Sequence, residues 1–237
     1  MTRGAHRRAE HHAEAGPGSE PEGRCGRPLA GAVAGEAVAA LVAGGLLATL
    51  PDHMPGGAKR WERTNHRGET VTLLEGPAAV GATVAGLLAG RVVGGSRNPS
   101  PAPAMVAAIG SGLAGGVDDL VGAADTKGLR GHLLALTRGE VTTGAVKIGA
   151  IGASGLAAAL LAGRNAQGSS RPSRIQAAVD GALIAGSANL MNLFDLRPGR
   201  ALKVSALTAG AMSLTTRRYD TEPAVVVGAS LGLMRDD

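Results

Sequence analysis

The chain has 237 residues, 44% of them hydrophobic but only 1% aromatic, and a formal charge of +5. A single cysteine, Cys25, excludes an intramolecular disulfide framework and a cysteine-based zinc site. Its Lys and Arg residues are scattered through short loops, with no aromatic set to stack bases, which argues against nucleic acid as a partner.

The apolar mass is Ala, Leu, Val and Gly, with 38 glycines. A soluble core of this size normally draws on aromatics for bulk. Small residues in long apolar runs suit helix packing in lipid, where close backbone approach replaces a hydrophobic driving force. Attraction to anionic lipid and the positive-inside bias account for the charge.

Residues 1–28 are rich in Arg, His, Glu, Gly and Pro and read as a disordered polar tail. His6, His11 and His12 are read as solvated rather than metal-binding. The first long apolar run covers 29–50. Basic residues precede it, as in a signal peptide, but the long tail and a length near the ~20 residues of a full span predict a retained membrane helix. Glu36 within it should face protein or water. Further runs follow at 73–95, 102–117, 141–163, 175–194, 202–214 and 222–234, the run 202–214 being marginal for a span. No strand alternation is sustained and no repeat is evident. The expected fold is all-α: a polytopic membrane helix bundle of six or seven transmembrane helices over residues 29–237.

With seven helices, the loops 51–72, 118–140 and 195–201 share one membrane side, and 96–101, 164–174 and 215–221 share the other. The first side has the longer loops and, among the loops, a weak excess of Lys and Arg, which predicts a cytoplasmic side; the basic tail, on the other side, opposes this bias.

Three segments on that side carry chemistry. In the first, Arg67 offers a planar fork for phosphate or carboxylate, and Thr72 a hydroxyl. A basic juxtamembrane loop is the structural alternative. In the second, Asp118 and Asp119 close an apolar run and open a polar loop with Lys127, Arg130 and His132. Neighbouring carboxylates can hold Mg²⁺ or share a proton. Successive helical residues point about 100° apart, so one can serve the metal while the other faces Lys127 or Arg130. A helix-end cap or ion pair is the alternative. In the third, Asn189 and Asn192 sit at i, i+3 with Asp195 beyond them. Polar groups at the end of an apolar helix need partners or ligand, and interhelical hydrogen bonding is the alternative.

Together these segments resemble the polyprenyl-phosphate N-acetylhexosamine-1-phosphate transferase family. The shared order is a Gly/Thr-rich first loop (Arg67 to Gly76), then G-x-D-D (Gly116 to Asp119), then N-x-x-N-x-x-D (Asn189 to Asp195). The run Lys127-Gly128-Leu129-Arg130-Gly131-His132 looks like the family's loop after the Asp pair. The resemblance implies transfer of a sugar-1-phosphate from a UDP-sugar to a polyprenyl phosphate, releasing UMP, in cell-envelope glycan synthesis. It implies that Asp118 and Asp119 act near Mg²⁺ and the lipid phosphate. Arg67, Thr72, Asn189, Asn192 and Asp195 would bind substrate. The implied location is the plasma membrane, and a homodimer is an oligomeric state this reading allows.

The chain departs from the family pattern at three places. Gly122 stands where the family often has Lys. Asp195-Leu196-Arg197-Pro198-Gly199-Arg200 lacks the second carboxylate of a D-G-x-D-G-L run. The sequence stops at Asp237, about where a G-D-x-G-S-type metal loop is expected, and family members have about ten membrane helices. The expectation is therefore a C-terminally truncated or divergent member. Two other functions compete: a non-catalytic relative that binds a lipid phosphate or braces an envelope assembly, and a small transporter using Glu36, Asp180 and Lys147.

Overall fold

The computed structural model describes residues 23–64, 68, 70–95, 99–121, 131, 134–135, 137–165, 173–195, 199–215 and 220–234. Seven α-helices form among them: α1 (Gly23–His53), α2 (Glu75–Gly94), α3 (Ala102–Val121), α4 (Thr143–Asn165), α5 (Arg174–Phe194), α6 (Arg200–Thr215) and α7 (Thr221–Leu233). The fold is an all-α bundle, as the apolar runs predict. α1 begins at Gly23, inside the segment read as tail, and ends beyond Pro51.

Helices α1, α2, α4 and α5 are long and apolar enough to cross a bilayer, which makes this a membrane protein. Helices satisfy their own backbone polar groups, so they suit the hydrocarbon phase. The other three fall short for separate reasons. The apolar stretch of α3 is about 24 Å long before it meets Asp118. α6 and α7 have 16 and 13 residues. Leu41 is 72% exposed, Val92 80% and Leu214 90%, a surface suited to lipid rather than water.

The helices alternate in direction. α1 and α2 run antiparallel, with Gly35 against Gly86 and Gly31 against Gly90. α7 packs parallel to α1, placing Gly228 on the Glu36 backbone and Gly232 on Ala40. The buried cluster here is Ala39, Ala43, Ala78, Ala82, Leu87, Val225, Ala229 and Leu233. A Cβ added at Gly86 would lie 2.7 Å from the Gly35 carbonyl, so only glycine allows this approach. α3, α4 and α5 form a second antiparallel set, with Gly110 against Ser154 and Gly155 against Gly181. α2 joins the two sets through α3, and α6 packs on α7.

Between α1 and α2 the chain turns at Gly56 (φ 89°) and Gly57 (φ 75°) into a short 3-10 helix, Ala58–Trp61. A two-stranded antiparallel hairpin follows: β1 (Glu62–Thr64) and β2 (Thr70–Thr72), with Arg63 opposite Val71. The sequence shows no sustained alternation because three-residue strands are too short to display a period. Trp61 is buried, its indole N–H donates to the Pro55 carbonyl (3.3 Å), and the Leu73 N–H donates to the Trp61 carbonyl (2.6 Å). The Leu73–Trp61 bond extends the hairpin by one pair, and the indole ties it to the turn after α1.

Candidate functional site

Asp118 and Asp119 lie in the last turn of α3, and Lys147 lies near the first turn of α4. Each charge sits at the wrong end of its helix. Carboxylates are disfavoured at a helix C-terminus and ammonium groups at an N-terminus. The antiparallel packing of α3 and α4 brings the two violations together, and there they offset one another. Lys147 Nζ donates to Asp118 Oδ2 at 3.0 Å, with the Lys147 side chain 13% exposed and that of Asp118 28%.

Lys147 also donates to Asn192 Oδ1 at 3.3 Å, linking α5 to the pair. From the first loop, Arg63 Nη2 donates to the Asp119 backbone carbonyl at 2.5 Å. This bond caps the end of α3 with a cation, the sign that its dipole favours. Three segments assigned to one membrane side thus meet at one end of the bundle, as the alternation of helices requires.

Asp119 sits at the rim. Neighbouring protein displaces water from its carboxyl and raises its proton affinity above that of a free aspartate. The Lys147 ammonium opposes that shift, the Asp118 carboxylate adds to it, and the Arg63 guanidinium opposes it. Desolvation outweighs the two cations.

A groove of about 490 Å³ opens between α3 and α4. Its walls are apolar, including Leu113, Val117, Val141 and Val146, while Asp118 and Lys147 supply the charge. Such a lining suits an apolar group that carries a polar end.

The other sequence-predicted residues are placed differently. Thr72 ends β2, and its hydroxyl accepts from the Leu74 N–H (3.1 Å) at the start of α2. Asn189 donates back to the Ala185 carbonyl of its own helix (3.1 Å). Asp195 forms the C-cap of α5, its N–H donating to the Met191 carbonyl. Arg67, Lys127, Arg130 and His132 lie outside the described residues. Lys147 and Arg63 are the site residues that sequence reasoning undervalued. The signal for Lys147 is a cation at the start of an apolar helix; for Arg63 there is none, because its partner lies 56 positions away. Asp180, a residue of the transport reading, accepts from Gln176 (2.8 Å).

Among the described residues, no group of three or more His, Cys, Asp and Glu side chains gathers to hold a metal. The chemistry of the Asp pair fits a sparser mode, in which Mg²⁺ takes one or two carboxylates and completes its shell with water and substrate phosphate. One oxygen of Asp118 is already engaged by Lys147.

The fold and site define a class: a polytopic helical membrane protein with a compact charged cluster at one end of the bundle. No protein-family model matches the chain, and neither a curated protein nor a solved structure is similar to it.

Proposed function

We propose that this protein is a membrane transferase that moves a sugar-1-phosphate from a UDP-sugar to a polyprenyl phosphate at the cytoplasmic face of the plasma membrane. The observation that carries the reading is the α3–α4 groove with Asp118 and Lys147 at its polar end. An isoprenoid chain suits the apolar walls, and a phosphate headgroup suits the Lys147 ammonium.

In this reading Lys147 exchanges part of its contact with Asp118 for the lipid phosphate and keeps that phosphate at the rim. Asn192, held by the same ammonium, faces the sugar nucleotide. Asp118 and Asp119 would hold Mg²⁺, which when bound neutralises charge on the diphosphate. A lipid-phosphate oxygen attacks the phosphorus bearing the sugar. The bond to the uridine-linked phosphate breaks, UMP leaves, and the sugar stays on a lipid-linked diphosphate.

The test is UMP release by the purified chain in bilayers containing undecaprenyl phosphate, Mg²⁺ and a panel of UDP-sugars. Turnover that disappears in Asp118→Asn and Asp119→Asn supports the assignment. Absence of UMP release across the panel would sink it.

The Asp118–Lys147 ion pair favours a second reading, because it neutralises the carboxylate without a metal. There the protein binds a lipid phosphate and catalyses nothing. Binding of undecaprenyl phosphate that is indifferent to Mg²⁺, without turnover, selects it.

A further inference from the structure

A phosphate headgroup placed beside two carboxylates is repelled by them. Among the described residues, Asp118 and Asp119 bring two formal negative charges, and Lys147 returns one positive charge. Before Mg²⁺ binds, these groups carry a net negative charge and disfavour an anionic ligand.

The missing charge comes from outside the α3–α4–α5 set. Arg63 on β1 reaches across to α3 and donates to the Asp119 carbonyl at 2.5 Å. Its charge acts directly on the Asp119 carboxyl. A guanidinium carries five N–H donors in a planar fork, more than one carbonyl can use. The hairpin that bears it is extended by the Leu73–Trp61 bond and tied through the Trp61 indole to the Pro55 carbonyl in the turn after α1. With Arg63 in place, two carboxylates face two cations among the described residues, and their formal charges cancel.

We infer that Arg63 is a positioning residue of this site, fastening the first-loop hairpin to the end of α3 and balancing the Asp118–Asp119 charge so that the cluster accepts a phosphate-bearing lipid. The inference rests on the lipid-phosphate reading above. It adds a residue from a separate segment and assigns the hairpin a role in ligand affinity.

The experiment uses the full chain in nanodiscs of zwitterionic lipid without divalent cation, titrated with undecaprenyl phosphate, and repeats the parent titration with Mg²⁺. The variants are Arg63→Lys, Arg63→Gln and Arg63→Glu, with Glu62→Gln as a hairpin control that leaves the tie intact. Arg63→Lys keeps the charge and should bind within about threefold of the parent. Arg63→Gln should bind about tenfold more weakly, Arg63→Glu more weakly still, and Glu62→Gln no more weakly than the parent. Rescue by Lys separates charge balance from a generic packing role, and the order of any two folded variants decides the matter. Equal affinity across the three Arg63 variants overturns the inference, as does a Glu62→Gln loss that matches Arg63→Gln. Those results leave the lipid-phosphate reading standing if the parent binds. A parent chain that binds no undecaprenyl phosphate with or without Mg²⁺ overturns both.

Discussion

The α1–α2–α7 set and the α3–α4–α5 set solve the same packing problem with different chemistry. In the first, helices touch backbone to backbone through Gly35, Gly86, Gly228 and Gly232, around small buried side chains. In the second, close glycine contacts, Gly155 on Gly181 and Gly110 on Ser154, are accompanied by a charged joint, Lys147 on Asp118 and Asn192. Apolar small-residue contacts hold position and offer a ligand nothing to recognise. A charged joint costs desolvation, yet it can exchange one partner for a ligand. In the proposed reading the difference separates a scaffold from a working end.

The sharpest way to break that comparison is through activity. Asp118→Asn should lower turnover by about a hundredfold or more, the scale of removing one charge-stabilising group from a reaction centre, read as UMP release. A comparable loss from Gly228→Ala at unchanged folded fraction would mean that the first set is not merely a scaffold.

Stability comes next. Gly228→Ala drives a Cβ onto the Glu36 backbone, where no flexible side chain can yield. It should cost about 3 kcal/mol or more, seen as a lower thermal midpoint in detergent or bilayer. In the other set, Gly155→Ala meets the Gly181 carbonyl at 2.6 Å and should cost about 1–3 kcal/mol. Gly149→Ala in the same helix meets nothing and should be neutral or stabilising by up to about 1 kcal/mol. Equal effects at positions 149 and 155 would remove the α4–α5 crossing from the argument.

A smaller effect belongs to the charged joint itself. Lys147→Met leaves Asp118 without its cation and should destabilise by about 1–2 kcal/mol, a figure reduced for the partial exposure of the carboxylate. Adding Asp118→Asn should recover most of that stability while turnover stays absent. Failure of the double variant to recover would show that Lys147 serves packing rather than charge. The smallest expected change is at Ser173, whose hydroxyl caps α5 by accepting the Gln176 N–H at 3.1 Å. Ser173→Ala should cost about 1 kcal/mol, measured by the same midpoint.

The helices were legible in the sequence because apolar runs in lipid leave the backbone little else to form. The runs 73–95 and 175–194 match α2 and α5 within a residue or two. The Asp pair was legible as an anomaly, but its placement was not. α3 continues to Val121, so both carboxylates ride on the helix rather than opening a loop. Periodicity could not show this, because two charged residues end an apolar run whether or not the helix goes on. Lys147 was visible as a charge in an apolar segment, but its meaning depends on which helix lies beside it. Arg63 carried no local mark, since one cation among several in a basic loop gains significance only from a partner distant in sequence. Thr72 and Asn189 stood out as polar residues near a membrane boundary, and both satisfy their own local backbone instead.

The insertion of α7 beside α1 has a consequence for how the protein is made. The glycine-lined groove that α7 fills is formed by two helices synthesised long before it. At ordinary translation rates the interval between the end of α2 and the start of α7 is on the order of ten seconds. Through that time α1 and α2 present an open backbone surface inside the membrane, where the next small-residue helix to arrive can dock. Correct assembly is therefore a question of timing as well as fit: the groove must remain vacant until the right helix reaches it.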